Sequence, residues 1–238
     1  MYRKREDNMS ETNLDKIKEI AIDFLYLKVE PNPEFPMFLM HPFFSTPVVN
    51  IPDENDDLTL INILDSKENL DKARKIYKEN IMLCDNVFQI IMAMRDADKR
   101  TFFMYIKDYL SNEDFSKLLK EIWICTESPN FDINVKITEM KQWFKKADKK
   151  ILMDEDDWEI FDKMPDEVTI YRGITSDEYY KALSWTTNKK QAEFFATRYD
   201  SDGTIFTAKI NKKDILAAFE SESEVIVDYD KIYDIEEE

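Results

Sequence analysis

The sequence predicts an α+β protein, with a helical first part and a strand-rich second part. Two compositional facts and one change of pattern carry this reading. Glycine is absent from the first 172 of the 238 residues, and six of the eight prolines fall between Pro31 and Pro52. After Pro165 the apolar pattern passes from helical spacing to alternation. An apolar content of 43%, with 13% aromatics, is enough for a core of ordinary size in one domain or two smaller ones.

Taken in order, Leu14, Ile17, Ile20, Ala21, Phe24, Leu25 and Leu27 form a 3.6-residue stripe behind Asn13, a suitable N-cap, and predict a helix over 14–29. The segment 31–52 follows as a Pro-rich irregular loop, neither helix nor alternating strand. Its Phe and Met side chains tack it onto the helical core, a partner-docking patch being the alternative. Amphipathic helices are expected over 67–81, 86–95, 99–110, 112–124, with Asn112 as cap, and 136–150. Asp154, Glu155, Asp156 and Asp157 superficially suggest a calcium loop. They lack its alternating spacing and turn glycine, so they read as the acidic first turn of a short helix ending near Pro165. VTIYRG, SWTT, GTIFTAKI after a turn at 201–203, and EVIVDY read as strands, with helical patches at 177–183, 189–198 and 213–219 between them. The boundary is expected between a helical region at 1–150 and a second domain at 151–238.

Composition removes several chemistries. Gly173 and Gly203 are the only glycines, which excludes Rossmann and Walker loops. His41 with Cys84 and Cys125 falls short of a zinc ligand set, so no metal is expected. A net charge of −17 disfavours nucleic acid and anionic membranes but not a basic protein partner, and a well-solvated acidic surface is the plainer reading. That acidity is not a tail, since 9 basic and 15 acidic residues lie from Val168 onward. The charged start MYRKREDNMSETN lacks an apolar signal core, and no stretch approaches the roughly 18–20 apolar residues of a membrane span. With two cysteines far apart, a cytoplasmic protein is the expectation.

Three elements of the second half stand out by order and position. Tyr171-Arg172-Gly173 lies at a strand end, Ser184-Trp185-Thr186-Thr187 starts another strand, and Glu222-Ser223-Glu224 leads into a third. Together they resemble the Arg–Ser–Glu (R-S-ExE) class of mono-ADP-ribosyltransferases over about 166–229. Such transferases occur as bacterial toxins and as phage-encoded modifiers of host proteins, and a chain without an export signal is more similar to the second sort.

The resemblance implies a small split β-sandwich domain that uses NAD as substrate and transfers ADP-ribose to a protein side chain of an intracellular target. It implies that Glu224 binds the ribose and stabilises its developing charge, that Ser184 orients Glu224 with Thr186 in support, and that Arg172 holds the NAD diphosphate. The Gly173 backbone would approach the nicotinamide amide. Glu222, two residues before Glu224 in an extended segment, is expected on the same face as the base for an arginine acceptor. Arg198 is a candidate second phosphate contact, with helix C-terminal carbonyls as its alternative partner. Phe195, beside Phe194, is a candidate to stack on nicotinamide, with core packing as the alternative. Two departures from the family pattern stand out. Only 11 residues separate Arg172 from Ser184, and Trp185 occupies a position where the signature has a small β-branched residue, so its ring is expected in the core. Two other functions remain beside transfer: NAD glycohydrolysis at the same site, and a non-catalytic acidic binding protein on this scaffold.

Overall fold

Asn13 opens the first helix, α1 (Leu14–Leu25), by accepting the Lys16 N–H at 3.0 Å, and Ile17, Ala21, Phe24 and Leu25 form its buried stripe. The computed structural model describes residues 10–52, 57–126, 132–175, 180–198 and 203–237. The chain is mixed α+β with antiparallel sheets, and it divides into two units, Met1–Leu118 and Leu119–Glu238. That division falls ahead of the expected 150/151 boundary, because the helices just before residue 150 pack on the sheet of the second half.

In the first unit the expected loop at 31–52 ends in a strand. VVNIP alternates outward and inward, so β1 (Val48–Pro52) buries Val49 and Ile51 and pairs antiparallel with β2 (Leu58–Asn62). Ahead of β1 the His41 ring is wholly buried and stacked on Phe44, and its Nδ1 accepts the N–H groups of Phe43 and Phe44 at 3.2 Å. Burial lowers its pKa to about 4, and the ring is a neutral packing and loop-capping group. The helices α2 (Lys67–Leu83), α3 (Val87–Met92) and α4 (Asp96–Ile106) follow, α2 and α3 opened by the side chains of Ser66 and Asn86. Phe24 meets Phe102 and Tyr105 edge-on with centroids 5.3 and 5.4 Å away, joining α1 to α4. Helix α5 (Asn112–Ile124) has the expected bounds, but Ser111 rather than Asn112 caps it, accepting the Asp114 N–H at 3.0 Å. It runs across the division between the units.

In the second unit the expected helix over 136–150 is two helices, α6 (Ile137–Lys146) and α7 (Lys149–Leu152). Ala147 turns extended and Asp148 caps a new start. The acidic cluster opens α8 (Glu155–Lys163) through a reciprocal capping box between Asp154 and Asp157. The strands are β3 (Glu167–Ile174), β4 (Ser184–Thr186), β5 (Thr204–Asn211), β6 (Ile215–Phe219), β7 (Glu224–Val227) and β8 (Tyr233–Glu237), with α9 (Lys189–Thr197) between β4 and β5. They form one antiparallel sheet in the order β6-β7-β4-β3-β5-β8.

One expectation changes here. The patch at 213–219 is the end of a 3₁₀ turn, Lys212–Asp214, followed by a strand, since all five residues of ILAAF in β6 are buried, against β7 on one side and under α6, α7 and α8. The acidic end forms β8, whose Tyr233 hydroxyl donates to Glu167 at 2.8 Å. The two halves of this sheet meet at one registered pair, Tyr171↔Thr186, against eight pairs between β3 and β5. Residues 177–179 and 201–202, expected in a helical patch and a turn, lie outside the described residues, and 180–183 are not helical. Among the described residues no helix is long and apolar enough to cross a membrane.

Both glycines serve α9. A Cβ on Gly173 would stand 1.8 Å from the Ala192 carbonyl oxygen, and one on Gly203 would stand 2.1 Å from that of Ala196. Helix and strand backbones touch at these points, and no side chain fits between them. Gly173→Ala is therefore expected to destabilise the fold by about 1–3 kcal/mol, as overpacking does. Denaturant unfolding checks this, and an unchanged midpoint would show that α9 gives way at no cost.

Candidate active site

The three sequence elements lie on adjacent strands of the second unit, β3, β4 and β7. Register places Thr186 opposite Tyr171 on one side and opposite Glu224 on the other. Side chains two apart on a strand share a face, so Ser184 and Thr186 point the same way, and Trp185 points to the other side. The Ser184 hydroxyl donates to Glu224 Oε1 at 2.5 Å. Arg172 Nη1 donates to the Ser184 carbonyl at 3.0 Å, tying β3 to β4 where the ladder holds a single pair. Trp185 is 2% exposed, in the core as expected, with Nε1 on the Ala182 carbonyl at 3.2 Å.

Thr186 is buried, and its hydroxyl reaches into the turn before β7. It donates to the carbonyls of Glu222 and Ser223 at 2.9 and 3.2 Å, and accepts the Asn188 N–H at 3.1 Å. The Thr187 N–H adds a bond to the Ser223 carbonyl at 3.0 Å. Glu222 is not extended as expected. It sits in a 3₁₀ turn, Ser221–Ser223, with φ 59° there and 50° at Ser223, so the i, i+2 rule for a shared strand face does not apply. Its side chain is exposed, while Glu224 is part-buried. Left-handed backbone at two non-glycine residues is sparsely populated and persists only where surrounding bonds hold it, which the two threonines do.

The remaining expectations divide. Gly173 lacks a side chain because α9 occupies that space, so helix packing accounts for the residue. Arg198 lies under its own helix neighbour, its guanidinium carbon 5.2 Å from the Phe195 ring centre, and Phe195 is half-buried beside an exposed Phe194. Ser184, Glu224, Arg172, Thr186 and the Glu222 turn are thus joined by direct hydrogen bonds, whereas Arg198 and Phe195 interact with each other at the end of α9. Among the described residues no group of three or more His, Cys, Asp and Glu side chains is placed to hold a metal ion.

Sequence reasoning missed Trp123. Its indole N–H, delivered by α5, stands 3.2 and 3.1 Å from the two Glu224 carboxylate oxygens, and its ring is buried edge-on against Phe144 at 5.0 Å. In the sequence it continues the apolar stripe of α5 with Leu118, Leu119 and Ile122, and nothing in the spacing separates a donor from a packing residue. Burial is the largest influence on Glu224 and lifts its pKa to about 7. The bonds from Ser184 and Trp123 pull it back, the Glu222 charge adds to the rise, and Arg172 lowers it.

No family model matches this chain, and no match is found among curated proteins or among solved structures.

A carboxyl raised in the folded state binds more protons folded than unfolded between about 4.5 and about 7, so its contribution to stability falls as pH rises through that window. Glu224→Gln should therefore be more stable than the wild type at pH 8, by on the order of 1–3 kcal/mol, and the gap should close by about pH 5. Paired thermal melts across this range check the sign. Equal stability at pH 8 would show that the Glu224 carboxylate is not desolvated.

Proposed function

We propose that this protein is an NAD-dependent mono-ADP-ribosyltransferase that modifies a protein side chain, arginine, of an intracellular target. The observation that carries the reading is the hydrogen bond from Ser184 to Glu224, with the Arg172 guanidinium fixed on the carbonyl of the same serine. Three weak sequence elements come together as a connected group on neighbouring strands, and that proximity supports the reading.

The chemistry suits these residues. When the bond between nicotinamide and ribose breaks, its electron pair leaves with neutral nicotinamide and positive charge develops on the sugar. An ionised Glu224, held by Ser184 and Trp123 against rotation, stabilises that charge where water is scarce. A pKa of about 7 leaves a large fraction ionised at neutral pH, and the positive charge on the nicotinamide ring of NAD favours that form. Arg172 contributes a planar donor group suited to the diphosphate. The acceptor guanidinium forms the new bond to the ribose carbon and must lose a proton, for which Glu222 is the base. The acidic surface, at net charge −17, attracts a basic target.

The placement of Glu222 on an exposed turn, away from the extended strand of Glu224, favours a second reading, in which water is the acceptor and the protein is an NAD glycohydrolase. The two glutamates separate these readings. Glu224→Gln is expected to lower nicotinamide release by on the order of 10²-fold or more, with or without acceptor, since it removes a main electrostatic stabiliser. Glu222→Gln is expected to suppress arginine modification while nicotinamide release without acceptor persists at a measurable rate. Nicotinamide release beside mass-spectrometric mapping of the modified residue reads both. Parallel loss of the two activities in Glu222→Gln would assign both glutamates to the ribose, and modification at another residue type would overturn the arginine assignment.

A further inference from the structure

Two polar side chains of the second unit meet at the turn that carries Glu222, and neither belongs to the Arg–Ser–Glu elements. Asp157, in the first turn of α8, is 3% exposed. Its Oδ1 accepts the Glu220 N–H at 2.9 Å. Its Oδ2 accepts the Asp154 N–H at 3.1 Å and the Lys120 ammonium at 2.5 Å. Lys120 stands one helical turn before Trp123 on α5, so one helix face presents a cation to Asp157 and an indole N–H to Glu224. A buried carboxylate with three charge-assisted or backbone bonds is a stiff support.

We propose that Asp157 is a positioning residue for the acceptor side of the site. By holding the Glu220 backbone, it fixes the turn that aims Glu222, and this rests on the transferase reading above. The turn is gripped at both ends. Asp157 holds its entry at Glu220, while Thr186 and Thr187 hold the carbonyls at Glu222 and Ser223. Between these grips lie the two left-handed residues, Glu222 and Ser223, a conformation costly enough to relax once an anchor is lost. Glu224 is less dependent on Asp157, because strand pairing, Ser184 and Trp123 hold it independently. Loss of the Asp157 anchor thus acts on acceptor activation more than on the ribose side.

The test uses the full-length protein and three substitutions. Asp157→Ala removes the bond to Glu220. Asp157→Asn keeps an oxygen able to accept it. Asp154→Ala frays the same helix start and removes the other carboxylate on Lys120 but leaves the Glu220 bond in place, so it reports a purely structural effect. Asp157→Ser, too short to reach Glu220, replaces the alanine variant if that fails to fold. Amide hydrogen exchange at Glu220 and Ser223 should quicken about 10-fold or more in Asp157→Ala, with Val225–Val227 unaffected and the other two variants close to wild type. The ratio of arginine transfer to NAD hydrolysis should fall on the order of 10-fold in Asp157→Ala with KM for NAD unchanged, and recover in Asp157→Asn. Unaltered exchange at Glu220 and Ser223, the same change in Asp154→Ala, or transfer and hydrolysis falling in proportion would overturn the proposal. If the wild type neither releases nicotinamide nor transfers ADP-ribose, the transferase reading fails, and exchange at the turn alone decides whether Asp157 anchors it.

Discussion

Burying the Glu224 carboxylate costs free energy that hydrogen bonds must offset, and much of the second unit is arranged around that requirement. One donor comes from β4 as the Ser184 hydroxyl and the other from α5 as the Trp123 indole, so a strand and a helix distant in sequence have to converge on the end of β7. Arg172 braces the serine from the next strand, and Phe144 of α6 packs against the indole. The carboxyl nonetheless keeps a pKa near 7, which means its ionised form remains incompletely compensated. That residual cost is a stability loss located at one side chain.

The turn ahead of β7 follows from a second constraint. A strand entered from an ordinary extended segment would put Glu222 beside Glu224 on one face, whereas the left-handed pair at Glu222 and Ser223 turns the chain and leaves Glu222 exposed. Such a backbone needs external anchors, and threonine hydroxyls from β4 with an aspartate from α8 provide them.

The sequence made legible what local chemistry decides. Asn13 caps α1 as its side-chain type pointed, the acidic run at 154–157 opens a helix, the α5 cap lies one residue from Asn112, and β3, β4 and β7 carry residues of the three sequence elements. Illegible were features that only tertiary context fixes. ILAAF has no alternation because both its faces are covered, and a short apolar run of this kind reads equally well as helix. β8 is acidic and gains its partners from β5, not from its own composition. At Gly173 the sequence could not show the packing that also requires glycine, the Ala192 carbonyl oxygen that a Cβ would meet. Trp123 and Asp157 were hidden because an indole in an apolar stripe and an aspartate in an acidic run show their partners only after the chain has folded.

The central claim is that Glu224, oriented by Ser184 and Trp123, serves the cleavage of NAD at the nicotinamide–ribose bond. Incubating the purified wild-type protein with NAD and an arginine-rich basic protein, and following free nicotinamide by chromatography, tests it most directly. The account predicts nicotinamide accumulating in proportion to enzyme, with ADP-ribose recovered on the acceptor or free in solution. NAD remaining intact after prolonged incubation, with the protein folded and the acceptor present, would contradict it.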